Sequence, residues 1–477
     1  MFVDARDMSI GLDREADVAI IGAGAAGITL ARELSKKFDV VVIEAGGAEA
    51  GVGELHNGFI TCAGLPYPIE ETRRSGFGGS TSIWSGYCAL FDEGDFWDNP
   101  GQPLGGWLIT RDELMPYYHA ACALLNLPDF DFNAAELATR GGMRYGFSAD
   151  FAMDVWRFGQ PTARFSEKFS DAVSTSSRIR TLTYATAVDL RLAPDGSNVS
   201  EVVVRTAQGR SGHIRSRIVV IAAGGLETAR LLLNADSQVA GGLGNAGGMV
   251  GRCFMEHPHL PVPGIRGTQD KRLAQWTTRF RVSPELEFEF LLGITPQARR
   301  KEGLLNARAH AFHTPQMELD EPARIGLFLE QEPNPASRLR LTGNRDAIGL
   351  RLVELDWQLS PRDWRSYRRT AQRIGLELIQ AGLAIGEPEQ LIDAIDDSSV
   401  LHSNHHLGTT RMSSDTRTGV VNDQCRVHGT DNLYVMGGSV FPTGSWANPT
   451  MTVLALTLRL AAHLRQLLSH RTAFATV

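Results

Sequence analysis

Near the end of the chain, the run LHSNHHLGTTRM places two adjacent histidines, His405 and His406, just before a Gly408-Thr409 turn. A neutral imidazole can take a proton from a substrate hydroxyl near physiological pH, because its unperturbed pKa lies close by. Further on, GSWANPTMTV carries Asn448, Pro449 and Thr450 into the apolar run MTVLALTLRLAAHL. A side-chain amide can donate an N–H to an oxygen on which charge develops, but it cannot take up the proton. Proline suits a first helical turn, so the apolar run reads as a helix with its positive dipole end at Pro449-Thr450. Taken alone, these residues are equally loop histidines and a helix cap. Their chemistry depends on what the rest of the chain sets beside them.

The N-terminal stretch ADVAIIGAGAAGITLARELSKKFDVVVIEAGG reads as strand, glycine turn, helix and second strand. Val18, Ile20 and Ile21 form one apolar strand, and Val40 to Ile43 form the next. Leu30, Ala31 and Leu34 between them have helical spacing. Gly22 permits the tight turn, Gly24 lets a pyrophosphate approach the backbone, and Gly27 lets helix and strand pack closely. The helix N-terminus adds N–H donors. Glu44 closes the second strand, where its carboxylate can accept from ribose hydroxyls and disfavours NADP. A bound dinucleotide is expected, with FAD and NAD both open on this unit alone.

A second glycine cluster, RRSGFGGSTSIWSGYC, offers the backbone of Gly78 and Gly79 and the hydroxyls of Ser80 and Thr81 to a phosphate or a ring edge. GWLITRDELMPYYHAACALL then reads as a helix with Thr110 as N-cap, a core stripe from Leu114 to Leu124, and a kink or split at Pro116. IRTLTYATAVDLRLA, VSEVVVRTA and HIRSRIVVIAAGG read as a meander ending in a buried strand, Ile218 to Ala222. That strand meets Ala223-Gly224 and the helix LETARLLLNA, a second dinucleotide-facing geometry. After GNAGGMVGRCFMEHPH, the alternation in FEFLL and RLRL predicts an antiparallel sheet with one face covered. The helix beginning at Ser360 is expected to carry Arg362, Arg365, Arg368 and Arg369 on a solvated face, and His257 and His259 read as structural.

Length and composition bound these readings. The chain has 477 residues, 43% hydrophobic and 21% charged, as expected for two or three compact globular regions. A formal net charge of −7 gives no basic face for nucleic acid. The five scattered cysteines favour reduced buried thiols over disulfides or zinc, and no metal site is expected. Neither a signal peptide nor a membrane span is read, so the expectation is a cytoplasmic protein with no membrane partner.

Together these segments resemble the glucose-methanol-choline (GMC) family of FAD-dependent oxidoreductases, in its bacterial, pyranose-oxidase-like branch. The resemblance rests on the fingerprint with Glu44, FGGSTSIW, AAGGLETARLLL, GGMVGRCFMEHP, and the run from HHLGTTRM through NLYVMGGSVFPTGSWANPT. It implies an α/β fold: a Rossmann-like FAD-binding domain from residues 1–110, 175–256 and 402–477. A substrate domain follows from 111–174 and 257–401, an antiparallel sheet with covering helices. It places the family's catalytic histidine on His405, with His406 as neighbour, and its second catalytic position on Asn448. The implied cofactor contacts are Gly22, Gly24, Ala25, Gly27, Glu44, Ala45, Gly79, Ser80, Thr81, Trp84, Val188, Ala223, Gly224, Gly438, Ser439, Pro449 and Thr450. Ile83 stands where some members attach the flavin through a histidine, so noncovalent FAD is expected. The chain departs from the family at Gly437 and Asn422, where aspartates are frequent. The implied reaction oxidises an alcohol of a sugar, glycoside or alicyclic compound, with proton transfer to His405 and hydride transfer to flavin N5. The electron acceptor is either dioxygen or another species. An FAD-containing lyase of the same fold, a non-catalytic FAD-binding protein and an NAD-dependent dehydrogenase are the alternatives.

Overall fold

A computed structural model describes residues 1–49, 60–97, 104–140, 146–268, 273, 279–283, 286–312, 322–387 and 395–473. Parts of the expected substrate-side strands, Thr278, Pro284 and Glu285 among them, lie outside the described residues. The chain begins with strands β1 (Phe2–Asp4) and β2 (Arg14–Ile21), helix α1 (Ala25–Leu34) and strand β3 (Val40–Ile43). Strand β4 (Ile60–Gly64), helices α2 (Arg111–Leu124) and α3 (Ala134–Arg140), strand β5 (Phe151–Phe158) and helix α4 (Phe165–Ser174) follow. Next come strands β6 (Ile179–Thr183), β7 (Thr186–Leu192), β8 (Val199–Arg205) and β9 (Ser211–Ile221), then helix α5 (Gly224–Asn234).

These strands build one mixed sheet in the order β1-β6-β3-β2-β9-β8-β7. Strands β1, β6, β3, β2 and β9 run parallel, and all four residues of β3, VVVI, are buried, as a strand covered on both faces requires. The 11-residue β9 organises the sheet. Its first half pairs antiparallel with β8, and Ile214 to Ile221 pair parallel with β2. The expected meander is therefore corrected at its start. IRTLT is β6, a parallel strand beside β3, and the chain turns at Tyr184 (φ 56°) before the antiparallel β7-β8-β9 begins.

A second, wholly antiparallel sheet holds β10 (His259–Gly267), β11 (Phe280–Ser283), β12 (Leu286–Ile294), helix α6 (Pro296–Glu302) beyond it, then β13 (Ala307–Phe312) and β14 (Arg324–Leu329). Strand β5 pairs with β12 along its length, from Glu287–Phe158 to Ile294–Phe151. Strands β15 (Arg338–Arg345) and β16 (Arg351–Trp357) do not join it. They form a third sheet in which β16 runs parallel to β4, so the RLRL alternation belongs to this smaller layer. Helix α7 (Pro361–Gln380) closes the second core through Tyr367, Ala371, Ile374 and Leu378. Ser360 caps it, accepting from the Arg362 and Asp363 N–H groups. Arg365 and Arg369 on this helix are exposed. Arg362 and Arg368 are half-buried against Glu332 and the Ile395 carbonyl, so only part of that face is solvated.

After β17 (Ala384–Gly386) the chain returns to the first sheet with β18 (Leu433–Val435), parallel to β9, and ends in helix α8 (Thr450–Ala473). Helix α2 runs unbroken through Pro116, which is exposed, and its face of Leu114, Tyr118 and Ala121 packs in the larger core against α8. Tyr118 Oη lies 2.8 Å from Thr452 Oγ1 there. Four of the five free cysteines are buried and Cys62 is exposed, against the expectation of uniformly buried thiols.

Gly27 shows how tightly the first turn is built. A Cβ at this position would lie 1.9 Å from the Gly22 carbonyl oxygen, whereas one at Gly24 meets nothing within 4 Å. Gly27→Ala is expected to cost about 1–3 kcal/mol by overpacking. Gly24→Ala should leave stability nearly unchanged. Urea unfolding of the two variants checks the contrast.

Candidate active site

One cleft of about 630 Å³ runs from the first glycine turn to the start of α8. At its nucleotide end, Gly22 (φ 105°), Gly24 and Ala25 line the wall at the N-terminus of α1. Glu44 lies beside them, its carboxylate accepting three backbone N–H groups. Oε2 accepts from Ala23 N–H, and Oε1 accepts from Gly46 and Gly76 N–H, each at 2.8 Å. This draws the second glycine cluster onto the first turn, and Gly78 N–H donates to the Ala23 carbonyl. Gly79 then sits so close to Gly24 that a Cβ would come within 3.1 Å of its Cα.

Ala45, Ser80, Thr81, Trp84, Ala223, Gly224, Gly438, Pro449 and Thr450 line the same cleft. Val188 and Ser439 are not on its lining, and neither is Gly27. Val188 packs instead with Val203, Ile348 and Leu350, at the point where the β7-β8 ladder shifts register between Ala187 and Asp189; Ala185 to Ala187 meet the cleft. Ser439 is 1% exposed, behind Gly438. Gly27 lies beneath the turn and serves helix–strand packing. Gly437 (φ 145°) faces open space, while Asn422 lies off the lining and accepts from the Gln424 and Arg426 N–H groups.

At the other end, residues 402–406 bulge between two bridges, His259 with Leu401 and Met255 with Leu407. The buried Glu256 carboxylate holds the bulge from behind. Oε2 accepts from Ser403 N–H at 2.5 Å and Oε1 accepts from His405 N–H. Burial pushes this carboxyl up to about 8, against the pull of those donors. His405 faces the cleft half-buried, its Nδ1 2.7 Å from Nδ1 of the fully buried His257. His257 Nε2 lies 2.9 Å from the Gly444 carbonyl. Burial, and then His257 and His406, hold His405 well below the usual histidine range. His406 turns the other way, with Nε2 3.1 Å from Thr72 Oγ1, and burial lowers it to about 3. Asn448 lines the cleft, and its buried Oδ1 has no partner.

Glu256, His257 and the cleft-lining His259 and Phe328 were not among the expected site residues. The Glu-His-Pro-His run was their one signal in the sequence, a dense polar cluster directly before an apolar strand. His259 stacks on Phe328 with ring centroids 4.9 Å apart, and its Nε2 is 2.9 Å from His310 Nε2. With Trp84 and Tyr87 they make an aromatic wall, while His402, Ser403 and Asn404 line the polar edge.

The residues fit an extended dinucleotide. Added Cβ atoms at Gly24, Gly224 and Gly437 meet nothing within 4 Å, so these turns are bare toward the cleft. Asn448 and the N-terminus of α8 line it at the far end. Among the described residues, no group of three or more histidine, cysteine, aspartate or glutamate side chains could hold a metal. No described helix is long and apolar enough to cross a membrane.

The GMC oxidoreductase profile matches residues 333–457, which include the histidine bulge and Asn448. Paromamine 6'-oxidase of Streptomyces fradiae is 28% identical over 94% of this chain and 91% of its own length. Over residues 333–457 the chain is thus similar to the GMC oxidoreductases. The 2-methyl-1,2-propanediol dehydrogenase of Mycolicibacterium austroafricanum is 24% identical over 83% of each chain. In fold, the chain matches pyridoxine 4-oxidase from Mesorbium loti with a TM-score of 0.61 at 18% identity, over 94% and 99% of the two chains. Ile83, on the cleft lining, has no nucleophile with which to attach a flavin.

Glu256→Ala would leave the Ser403 and His405 N–H groups without acceptors. At roughly 1–3 kcal/mol for each, the expected loss is about 2–6 kcal/mol, and Glu256→Gln, which keeps one acceptor oxygen, should lose less. Denaturant unfolding of the FAD-loaded variants measures both.

Proposed function

We propose that this protein is an FAD-dependent GMC oxidoreductase that oxidises an alcohol on a sugar, glycoside or alicyclic ring to a carbonyl, with His405 as general base and Asn448 as the amide that orients the substrate oxygen. The observation that carries this reading is one cleft lined by both residues and by the bare glycine turns. Bound FAD supplies the two-electron acceptor, at flavin N5, for the hydrogen leaving the substrate carbon. His405 takes the hydroxyl proton. Its depressed pKa keeps the ring neutral, and therefore basic, at and below neutral pH. Asn448, on the cleft lining, can donate an Nδ2–H to the oxygen as charge grows on it. Pro449-Thr450, at the start of α8, turn a positive dipole end toward the same region.

The substrate class is supported by the shape of the cleft's outer part. Trp84, Tyr87, Phe328 and His259 offer flat apolar surface, and His402, Ser403 and Asn404 offer donors and acceptors along one edge. A ring with C–H faces and equatorial hydroxyls suits that pairing of surfaces. Paromamine 6'-oxidase, a relative along nearly the whole chain, is named as an oxidase of paromamine.

Anaerobic mixing with a panel of sugars, glycosides and alicyclic alcohols should bleach the flavin for at least one member. Turnover without bleaching would instead mark a lyase. His405→Ala is expected to retain FAD and to slow flavin reduction by about 10²–10⁴-fold; reduction at the wild-type rate would remove His405 from the mechanism. Since His405 titrates below its ordinary value, the reduction rate should stay level from pH 8 to pH 6.5. It should fall only on an acid limb below that, as the base becomes protonated. A stopped-flow pH series tests the sign.

A further inference from the structure

Adjacent residues grip the proposed base in two ways. Glu256 fixes the backbone of His405, and His257 meets its ring nearly at a right angle, 81° between planes with centroids 4.9 Å apart. The second contact determines which ring nitrogen of His405 carries hydrogen. The Gly444 carbonyl oxygen can only accept, so His257 Nε2, 2.9 Å away, is the donor. His257 is wholly buried, and burial lowers it to about 4, so at neutral pH the ring carries one hydrogen. Its Nδ1 is then a bare lone pair. That lone pair lies 2.7 Å from His405 Nδ1, and two lone pairs do not meet at such a distance, so His405 Nδ1 donates. A neutral His405 with hydrogen on Nδ1 has none on Nε2.

We propose that His257 is a positioning residue that holds His405 in the tautomer whose Nε2 is free to take the substrate hydroxyl proton. The relay runs from the Gly444 carbonyl through His257 to His405 Nδ1 and ends at that open nitrogen. On protonation, His405 keeps its Nδ1–H on His257, so the ring needs no rotation while the proton is transferred. The inference rests on His405 being the base. It adds that a buried neighbour, which touches no substrate, sets the protonation pattern.

Two variants and one spectroscopic measurement test this. His257→Phe removes the acceptor and keeps a flat ring of similar size. His257→Asn keeps an oxygen near the position of Nδ1. With FAD bound and substrate saturating, His257→Phe should slow anaerobic flavin reduction by at least about tenfold, up to the 10²–10⁴ that a base contributes. Substrate affinity and FAD content should hardly change, and His257→Asn should recover most of the rate. Independently of turnover, nitrogen NMR of ¹⁵N-histidine-labelled holoenzyme reports the tautomer, with His405 assigned by its missing signals in His405→Asn. The expected result is Nδ1 protonated and Nε2 bare in the wild type and in His257→Asn, and a mixture of tautomers in His257→Phe. A wild-type His405 protonated on Nε2, or a wild-type reduction rate in His257→Phe, overturns the proposal. Should His257→Phe fail to fold, the wild-type spectrum alone decides. His405→Ala separates the two ideas: if it reduces flavin normally the base assignment fails, and if it is slow while His257→Phe is not, only the role of His257 falls.

Discussion

Three backbone N–H groups converge on the Glu44 carboxylate, and the cleft depends on their meeting there. Ala23 belongs to the first glycine turn, Gly46 to the loop after β3, and Gly76 to the second glycine cluster. A buried carboxylate with no donors would be costly, so the three segments are compelled to gather around it. Their gathering sets Gly79 against Gly24 and leaves a floor of bare backbone. Glu256 repeats the device at the reacting end, where the donors are Ser403 and His405. One carboxylate thus shapes the nucleotide end and another shapes the histidine bulge.

The two large cores are joined behind the cleft by a buried polar network. Arg308, from the antiparallel sheet, lies 2.7 Å from Asp92 and 2.5 Å from Asp154, while Asn306 donates to Asp95 at 2.7 Å. Ser445 Oγ donates to Asp95 at 2.5 Å and Trp446 Nε1 donates to Asp92 at 3.2 Å. These contacts bind the segment just before Asn448 to the substrate-side sheet. Burial and the nearby Asp92 raise Asp95, whereas the Arg308 and Arg299 guanidinia lower Asp92 despite its own burial. One carboxyl of the pair therefore retains a proton more readily than the other. A network with every member partnered contributes geometry more than stability. Here that geometry sets how Asn448 meets the cleft.

Features of short sequence range were legible in advance. The strand, turn, helix and strand around Gly22 to Glu44 are contiguous, and each part has its own local signal. The caps at Thr110 and Ser360 are likewise local, and the structure shows both as capping boxes. Misreadings arose where pairing is long-range. β6 has the same alternation as the meander strands, but its partner is β3. β15 alternates like the substrate-side strands, but it pairs with β16 in a sheet completed by β4 from near the N-terminus. Val188 went astray for a different reason: the ladder shifts register between Ala187 and Asp189, and such an irregularity re-aims the side chain there.

By itself, the sequence pointed to a dinucleotide unit, to the GMC resemblance, and to the two residue types able to handle a proton and an oxygen. Their chemistry is written in residue identity and close spacing. Only the tertiary structure decided what stands behind His405. His257 lies 148 residues away, and the Glu-His-Pro-His run around it does not say what its ring meets. Gly444 contributes through a carbonyl that every residue possesses. The tautomer of a histidine depends on the donor or acceptor that meets each ring nitrogen, and folding alone brings those groups together. For that reason LHSNHHLGTTRM shows where a base could sit, and the contact with His257 shows which nitrogen it would use.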